Sequence, residues 1–431
     1  MNKINIFKGG FKKDLSIYFV GNLVNASIPF LLLPILTRIL SQEEYGEVTM
    51  FLLLVSLLNG FLGFNTHSYL LRKYYDLDSE KNKKDANNSS ILILILSFIS
   101  VTIIIFFFGP ELSNIFGLNN MQLYLAALAS AFIFLINFRL VHWQVRRKVF
   151  KYTFLQFFLA ISNLLITSIF LYFFFNGSQT RIDAYVLSAI LTGLIAFILI
   201  LKDNLLTFEI PSKDIFFDAL KFGVPLIFHV TGSFLLISAD RLVIKEVLSL
   251  SDVGVYMVAI QVSLVLNITF SAINKAYIPW LFELLPKKNN QINLKIVRLT
   301  LIYFGILIVI VFLGFFLAPI ILKFIVGSCF KAAASLVGYI VLGQCFFGAY
   351  LMVTNYIFYV KKTHYLALIT ISCGIFNLLI LYFMTTNYGL LGTAYSFIIS
   401  MMIRFVATAI VSNRLYPMPW KNGILSLITR N

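Results

Sequence analysis

Residues 299–322 read LTLIYFGILIVIVFLGFFLAPIIL and contain no charged side chain. A helix needs about 20 apolar residues to cross the hydrocarbon core of a bilayer, which is about 30 Å thick. Further stretches of this kind occur at 15–36, 48–71, 89–108, 121–138, 152–175, 184–201, 222–239, 253–274, 332–360, 365–386 and 389–411, the last with Arg404 inside it. The pattern predicts an all-α polytopic membrane protein with about 12 transmembrane helices.

The overall composition supports this prediction. Hydrophobic residues make up 60% of the 431 positions and charged residues only 12%, whereas soluble domains carry about 25% charged residues. A transmembrane β-barrel would show short segments of alternating polarity, but these apolar runs are continuous. The loops between them are too short for a soluble catalytic or nucleotide-binding domain. An ATP-driven pump in a single chain is thereby excluded.

Basic residues indicate the orientation of the chain. They concentrate in the N-terminal tail, in every second loop and in the C-terminal tail, for example Lys12, Lys13, Lys83, Lys84 and Arg146. Because Lys and Arg near a helix end stay on the cytoplasmic side, both termini are predicted to be cytoplasmic. The net charge of +16 is dispersed among these short loops. We therefore interpret it as a topology signal and expect no nucleic acid partner.

The two halves of the chain resemble each other. Residues 163–165 and 377–379 both read NLL, and a basic pair precedes each of them, at 147–148 and at 361–362. The second NLL segment and the second basic pair each lie 214 residues after the first. Six spans is an even number, so the halves would share one membrane orientation, as parallel repeats do. We predict an N-terminal six-helix bundle at 1–205 and a C-terminal six-helix bundle at 206–431.

Substrate sites in such transporters lie near the bilayer midplane at the interface of the repeats. Polar side chains recur at helical spacing in the first, second, seventh and eighth spans, which makes these helices the best candidates for lining a cavity. Interhelical hydrogen bonding is the alternative role for any single Asn or Ser among them. The candidate lining residues are Asn22, Asn25, Asn59, His67, His229, Asn267, Ser271 and Asn274.

The ionisable residues in or beside the candidate spans are mostly cationic: Arg38, Arg72, Lys221, Arg241, Lys275 and Arg404. Carboxylates are absent from the middle of every span, since Glu47 and Asp240 lie at outer ends. A positive, partly desolvated cavity attracts an anion, and Arg binds phosphate through two parallel hydrogen bonds. Arg72, Lys221 and Lys275 lie close enough to helix ends to reach lipid phosphates instead. Asp240 and Arg241 are also candidates for a simple ion pair.

Other chemistry has little support in the sequence. Cys329, Cys345 and Cys373 are widely separated, and no His or carboxylate cluster has the spacing of metal ligands. We expect no metal, no cofactor and no enzymatic activity. His67 and His229 titrate near neutral pH and are candidates for carrying a coupling proton, although a lone His in a helix is more often a packing residue.

Several short motifs resemble one family of membrane proteins. The segment LTRILSQEEYG at 36–46 follows the first span, ADR at 239–241 precedes VGVY at 253–256, and KKT at 361–363 precedes NYGLLGTA at 387–394. These motifs, together with Asn377, resemble those of the polysaccharide export family, which includes the O-antigen and capsule repeat-unit flippases (Wzx type). The resemblance covers essentially the whole chain. Thr37 stands where Ser is usual and Thr393 where Ala is commoner.

The resemblance implies the fold of the multidrug/oligosaccharidyl-lipid/polysaccharide (MOP) superfamily, with two six-helix bundles in a V and helices one, two, seven and eight around the cavity. It also implies a function. The chain would translocate undecaprenyl-diphosphate-linked oligosaccharide repeat units from the cytoplasmic to the outer leaflet of the bacterial cytoplasmic (inner) membrane. These units would be the building blocks of O-antigen, and so of lipopolysaccharide, or of capsular polysaccharide. Alternating access coupled to a proton or sodium gradient would drive the movement, and a polysaccharide polymerase complex is an expected partner.

Three alternatives remain open. A MATE-type drug or cation antiporter would share the fold, but its cationic substrates favour carboxylates in the cavity, and the spans offer none at midplane depth. A membrane polysaccharide polymerase would be expected to carry a sizeable outer loop with acidic or His groups. A flippase for a peptidoglycan or teichoic-type lipid precursor would need the same cationic cavity.

Overall fold

The computed structural model describes residues 28–73, 79–174, 177–207, 209–287, 289–362 and 364–428. These ranges are almost entirely helical and contain no β-strand. Nine of their helices are long and apolar enough to cross a membrane. The predicted all-α polytopic fold is therefore confirmed for the described part of the chain.

The helices follow one another with short connections. Up to the middle of the chain they are α1 (Ile28–Ile39), α2 (Gln42–Phe61), α3 (Thr66–Lys73), α4 (Glu80–Phe116), α5 (Asn120–Val145), α6 (Val149–Phe173), α7 (Gly177–Lys202) and α8 (Lys213–Val247). The remainder are α9 (Leu250–Leu284), α10 (Asn290–Ile325), α11 (Ala334–Tyr359), α12 (His364–Leu415) and α13 (Trp420–Ile428). Short 3-10 turns occur at Leu62–Asn65, Leu285–Lys287 and Ser328–Ala333.

The start of α2 explains part of the motif at 36–46. Ser41 Oγ accepts a hydrogen bond from the Glu44 backbone N–H at 3.2 Å, and the Ser41 N–H donates to Glu44 Oε2 at 2.7 Å. This reciprocal capping box satisfies two backbone donors at the helix N-terminus. The sequence SQEE thus ends α1 and begins α2 within three residues.

The 52 residues of α12 form two antiparallel limbs. Gly389 has φ 57° and ψ −141°, a conformation that is essentially restricted to glycine. Thr385 Oγ1 and Thr393 Oγ1 lie 2.9 Å apart, whereas residues eight apart in a straight helix are about 12 Å apart along its axis. The chain therefore turns back at Gly389, in agreement with the predicted eleventh and twelfth spans.

The contacts within the chain divide it into two compact units, Met1–Ser238 and Ala239–Asn431. The first half of α8 belongs to the first unit because it packs against the 3-10 turn at Leu62–Asn65 and against α3. A Cβ added at Gly223 would lie 2.6 Å from the Phe64 carbonyl oxygen, and the Phe222 ring lies 5.8 Å from that of Tyr69. This division falls inside α8. The bundle boundary at 205/206 lies in the connection between α7 and α8, and it stays a prediction.

In both units an asparagine of the fifth span accepts hydrogen bonds from side chains of the sixth span. In the first unit Asn163 Oδ1 on α6 accepts from Arg181 Nη1 on α7 at 3.0 Å. In the second unit Asn377 Oδ1, on the first limb of α12, accepts from Ser396 and Ser400 on the second limb at 3.1 and 2.7 Å. The two asparagines are the ones that the repeated NLL sequence aligned.

Candidate functional site

The described residues include ten of the fourteen predicted site side chains. Asn22 and Asn25 lie outside the described residues, as do the side chains of Arg72 on α3 and His229 on α8. The remaining ten are Arg38, Asn59, His67, Lys221, Arg241, Asn267, Ser271, Lys275, Asn274 and Arg404. Each unit contains some of them, and we describe the two groups separately.

In the first unit, Asn59 and His67 lie on either side of a break in the second span. Gly63, Phe64 and Asn65 all have positive φ, at 67°, 49° and 53°. Such backbone is uncommon for non-glycine residues and is tolerated at membrane depth only where protein or a cavity surrounds it. Asn59 Oδ1 and His67 Nδ1 are buried without a hydrogen-bond partner among the described residues. The break therefore places two unsatisfied polar atoms close to a strained segment.

In the second unit, the polar stripe of α9 faces α11. Asn267 Nδ2 donates to Gln344 Oε1 at 3.3 Å, and Asn274 Oδ1 accepts from Asn355 Nδ2 at 2.8 Å. Ser271 lies half-buried between them. Hydrogen bonding between helices is thus the observed role of Asn267 and Asn274. Their contact with a substrate stays a prediction.

Three of the predicted cations lie at exposed positions. Arg38 is near the end of α1, Lys221 is in the first half of α8, and Lys275 is in the second half of α9. Long basic side chains at such places extend readily toward phosphate groups at the membrane surface. Their contact with a lipid headgroup or with a substrate stays a prediction.

Arg241 is an ion-paired residue at the end of α8. Its Nη1 atom lies 3.2 Å from Asp240 Oδ1, and its Nε donates to Met257 Sδ at 3.4 Å. The sequence motif ADR thus provides a neighbouring pair of opposite charges, one of the two roles considered for it. Because Asp240 offsets its charge, Arg241 is a weaker candidate for binding an anion than Arg404.

Arg404 belongs to the second limb of α12, and its half-buried side chain extends to α11. Its Nη2 atom donates to Tyr350 Oη at 3.1 Å, and its guanidinium carbon lies 4.1 Å from the centre of the Tyr350 ring. Its Nε is buried and has no partner among the described residues. No carboxylate of the described chain pairs with it. A membrane-embedded cation with only a neutral partner has hydrogen-bonding capacity left for an anion.

Two buried arginines were missed by the sequence analysis. Arg139 on α5 is 1% exposed and pairs with Asp203, just after α7. Arg181, near the start of α7, is 4% exposed and donates hydrogen bonds to Asn163 and Thr167. A single Arg at the edge of an apolar run carries no sequence signal for burial, because its partners come from distant helices.

Two aspartates near helix ends, Asp203 and Asp218, have lowered pKa values. Arg139 donates a hydrogen bond to Asp203 and lowers the pKa of that carboxyl below its usual range. Burial raises the pKa of Asp218, but its bonds to Lys73 Nζ at 3.2 Å and Tyr69 Oη at 3.0 Å outweigh this and lower it. Both carboxylates are therefore ionised at neutral pH. The described residues hold no group of three His, Cys, Asp or Glu side chains suited to a metal ion.

Comparison with known proteins gives a family match over most of the chain. Residues 11–285 match the family described as "Polysaccharide biosynthesis protein". Two proteins of Haemophilus influenzae (strain ATCC 51907 / DSM 11121 / KW20 / Rd) are also similar. "Lsg locus putative protein 1" is 28% identical over 81% of this chain and 85% of its own length. An "Uncharacterized membrane protein" is 27% identical over 81% and 84%.

Two solved structures share the fold. The inward-facing conformation of a multidrug resistance MATE family transporter of the MOP superfamily superimposes with a TM-score of 0.71, covering 90% of this chain and 94% of that one at 16% identity. The lipid II flippase MurJ in an inward closed conformation gives a TM-score of 0.70, covering 96% and 91%, also at 16% identity. The described chain therefore has the fold of MOP-superfamily transporters.

Proposed function

We propose that this chain, which belongs to the polysaccharide biosynthesis protein family, is a flippase for undecaprenyl-diphosphate-linked oligosaccharide in the bacterial cytoplasmic membrane. The oligosaccharide would be a repeat unit of O-antigen, of capsule or of a related glycan. The chain would move it from the inner to the outer leaflet by alternating access. Family and fold are those of transporters, so we assign the chain transport without glycan chemistry of its own.

Arg404 is the observation that carries the proposal. A charged side chain near the centre of a spanning helix costs at least about 2.5 kcal/mol, so it is retained for a function or a partner. Its described partner is the hydroxyl of Tyr350, which is neutral. A diphosphate offers the two acceptor oxygens that a guanidinium fork binds best. The sugar would meet polar side chains, and the polyprenyl tail would stay in lipid.

The drug antiporter is the second candidate, because its fold matches equally well. Substrate charge separates the two. A cationic drug favours a desolvated carboxylate, whereas the isolated cation Arg404 repels it. A flippase for a peptidoglycan-type precursor differs only in the glycan that it carries. The coupling ion, proton or sodium, and a polymerase partner belong to the same proposal.

Binding to the purified chain tests the substrate class directly. The melting temperature is measured in detergent with polyprenyl diphosphate oligosaccharide, with the same glycan on a neutral lipid, and with a cationic dye. Ligands that bind the folded state raise the melting temperature. We expect stabilisation by the diphosphate lipid alone. Stabilisation by the dye alone would instead assign the chain to the drug antiporters.

A further inference from the structure

An apolar groove runs between α9 and α10 in the second unit, and Met352 of α11 forms part of its lining. Its volume is about 490 Å³, within the range of about 300–1,000 Å³ that is usual for sites of small organic molecules. The lining residues Ile273 on α9 and Leu299 on α10 are 41% and 43% exposed. The groove is therefore open at the surface of two helices that are apolar enough to span a membrane.

The polar atoms of the lining are either hydrogen-bonded or directed toward α11. Thr300 Oγ1 donates to the Ile296 carbonyl oxygen at 3.0 Å, and Tyr277 Oη lies 3.4 Å from Thr300 Oγ1. The Tyr303 hydroxyl lies against α11, because a Cβ added at Gly348 would be 2.9 Å from it. No charged side chain is among the described lining residues. The groove thus presents aromatic and aliphatic surface, which suits a hydrocarbon chain.

The length of the groove matches part of one lipid leaflet. Ile273 and Trp280 are seven residues apart on α9, about 10 Å along the axis at 1.5 Å per residue. One leaflet supplies about half of the 30 Å hydrocarbon core. A single acyl chain has this scale, whereas a chain of eleven isoprene units is far longer. The rings of Tyr277 and Trp280, 5.6 Å apart, lie toward the α9–α10 connection, as expected for aromatic residues near a membrane interface.

Lys295 lies beyond the end of the groove, where the headgroup of such a lipid would be. It precedes Leu299 by one helical turn on the same face of α10. Its side chain is exposed and has no hydrogen bond or ion pair among the described residues. Residues 281–300 contain four Lys or Arg and one carboxylate, Glu283. This end of the groove is therefore positive, which favours an anionic headgroup.

The groove is on a different side of α9 from Lys275, which we predict to meet the transported substrate. Ile273 and Tyr277 are four residues apart and share one face of the helix. Lys275 is two residues from each of them and points away from that face. The groove is therefore separate from the predicted substrate contacts of α9.

We propose that this groove binds one acyl chain of an anionic phospholipid whose headgroup is held by Lys295. The predicted topology places the α9–α10 connection on the cytoplasmic side, so the lipid comes from the inner leaflet. The chain fills the space between the two helices and supplies packing contacts that their side chains do not make with each other. The site holds irrespective of what the protein transports.

Quenching of tryptophan fluorescence by brominated lipid tests the proposal. The chain has three tryptophans, so Trp143→Phe combined with Trp420→Phe leaves Trp280 in the groove as the only one. The purified full-length variant is placed in phosphatidylcholine nanodiscs with increasing mole fractions of chain-brominated phosphatidylglycerol or phosphatidylcholine. We expect half-maximal quenching at an about fivefold lower mole fraction of the phosphatidylglycerol, as one Lys at the membrane surface provides. Comparison of the wild type with Trp280→Phe gives the same quantity by difference if the double variant does not fold.

Two lysine variants test the headgroup contact. Lys295→Gln should reduce the preference for phosphatidylglycerol to less than about twofold, because it removes the cation beside the groove. Lys421→Gln is the matched control and should preserve the preference. Lys421 is exposed on α13, which packs on α10 at Val297, on the side away from Leu299.

Two phenylalanine variants test the position of the acyl chain. Ala276→Phe places a ring in the groove and should reduce the quenching of Trp280 by both brominated lipids. Gly305→Phe is the control, since Gly305 does not line the groove and a Cβ added there meets no atom within 4 Å. It should leave the quenching unchanged. Melting temperatures of all variants show whether each one is folded.

Three results would overturn the proposal. Equal quenching by the two brominated lipids indicates ordinary contact with bulk lipid. Equal loss of the preference in Lys295→Gln and Lys421→Gln indicates general surface attraction. Recovery of Trp280 fluorescence by unbrominated polyprenyl phosphate, at a lower mole fraction than by unbrominated phosphatidylglycerol, would assign the groove to a polyprenyl tail instead.

Discussion

Arg404 Nη2 donates a hydrogen bond to Tyr350 Oη at 3.1 Å, between the second limb of α12 and α11. This contact orients a membrane-embedded guanidinium without neutralising its charge. A carboxylate in place of Tyr350 would form a closed ion pair and leave little affinity for an external anion. The neutral partner therefore distinguishes Arg404 from Arg241 and Arg139, which both pair with aspartates.

Replacement of Arg404 tests its role in binding a diphosphate. We expect Arg404→Gln to reduce substrate translocation at least about tenfold and Arg404→Lys to retain a substantial part of it, since Lys keeps the charge but loses the fork. Tyr350→Phe, which keeps the ring and removes only the hydroxyl, should have a smaller effect. Translocation by reconstituted protein measures all three. Equal activity of the Gln and Lys variants would contradict a phosphate contact at this position.

The native cysteines test the orientation of the chain. Cys329 is exposed, whereas Cys345 and Cys373 are buried. Cys329 precedes the tenth span, and the predicted topology places it on the outer side of the membrane. A membrane-impermeant maleimide should therefore label intact cells through Cys329, and Cys329→Ser should abolish the labelling. Labelling of Cys329 only after the membrane is opened would place both termini outside.

Gly389→Ala tests the turn that separates the last two spans. A Cβ at Gly389 meets no atom within 4 Å, so the cost arises from the backbone conformation alone. We expect a loss of about 1 to 3 kcal/mol in the free energy of unfolding. Gly305→Ala is the matched control, because its Cβ also meets nothing within 4 Å but its backbone is helical. This control should be neutral or slightly stabilising.

The sequence predicts the helical architecture well and the polar interior poorly. Apolar length alone defines a span, so the predicted runs correspond to helices within the described residues, which include only 28–36 of the first run. The motif glycine at 389 falls at the turn within α12. The role of Asn267 or Asn274 depends on which helix lies opposite, and nothing in α9 itself specifies α11. Likewise, the burial of Arg139 follows from Asp203, which lies 64 residues away in sequence.

Asp203→Asn tests the buried ion pair of the first unit. The change leaves the Arg139 guanidinium buried without a charged partner, and we expect it to destabilise the protein by about 2 to 3 kcal/mol, reduced from a fully buried pair because Asp203 is 35% exposed. Asp218→Asn removes a pair that is half-exposed on both sides and should cost less than about 1 kcal/mol. Melting temperatures of the two variants measure the difference.

The lowered pKa of Asp203 predicts how the stability difference between the wild type and Asp203→Asn depends on pH. A carboxyl whose pKa is lower in the folded state stabilises the protein above its unfolded pKa of about 4 and loses this contribution as the pH falls through the folded value. The stability gap between the wild type and Asp203→Asn should therefore be constant from pH 8 to about pH 5 and shrink only at lower pH. A gap that closes between pH 7 and pH 6 would contradict the lowered pKa.

Translocation by purified protein in proteoliposomes tests the central proposal most directly. Polyprenyl diphosphate oligosaccharide is incorporated, and the fraction that becomes accessible on the opposite leaflet is followed with a membrane-impermeant glycan probe, with and without an imposed proton or sodium gradient. We predict translocation that responds to one of the gradients, leaves the glycan unchanged in length, and falls at least about tenfold in Arg404→Gln. Protein-independent accessibility, together with gradient-driven uptake of a cationic dye by the same vesicles, would contradict the flippase assignment.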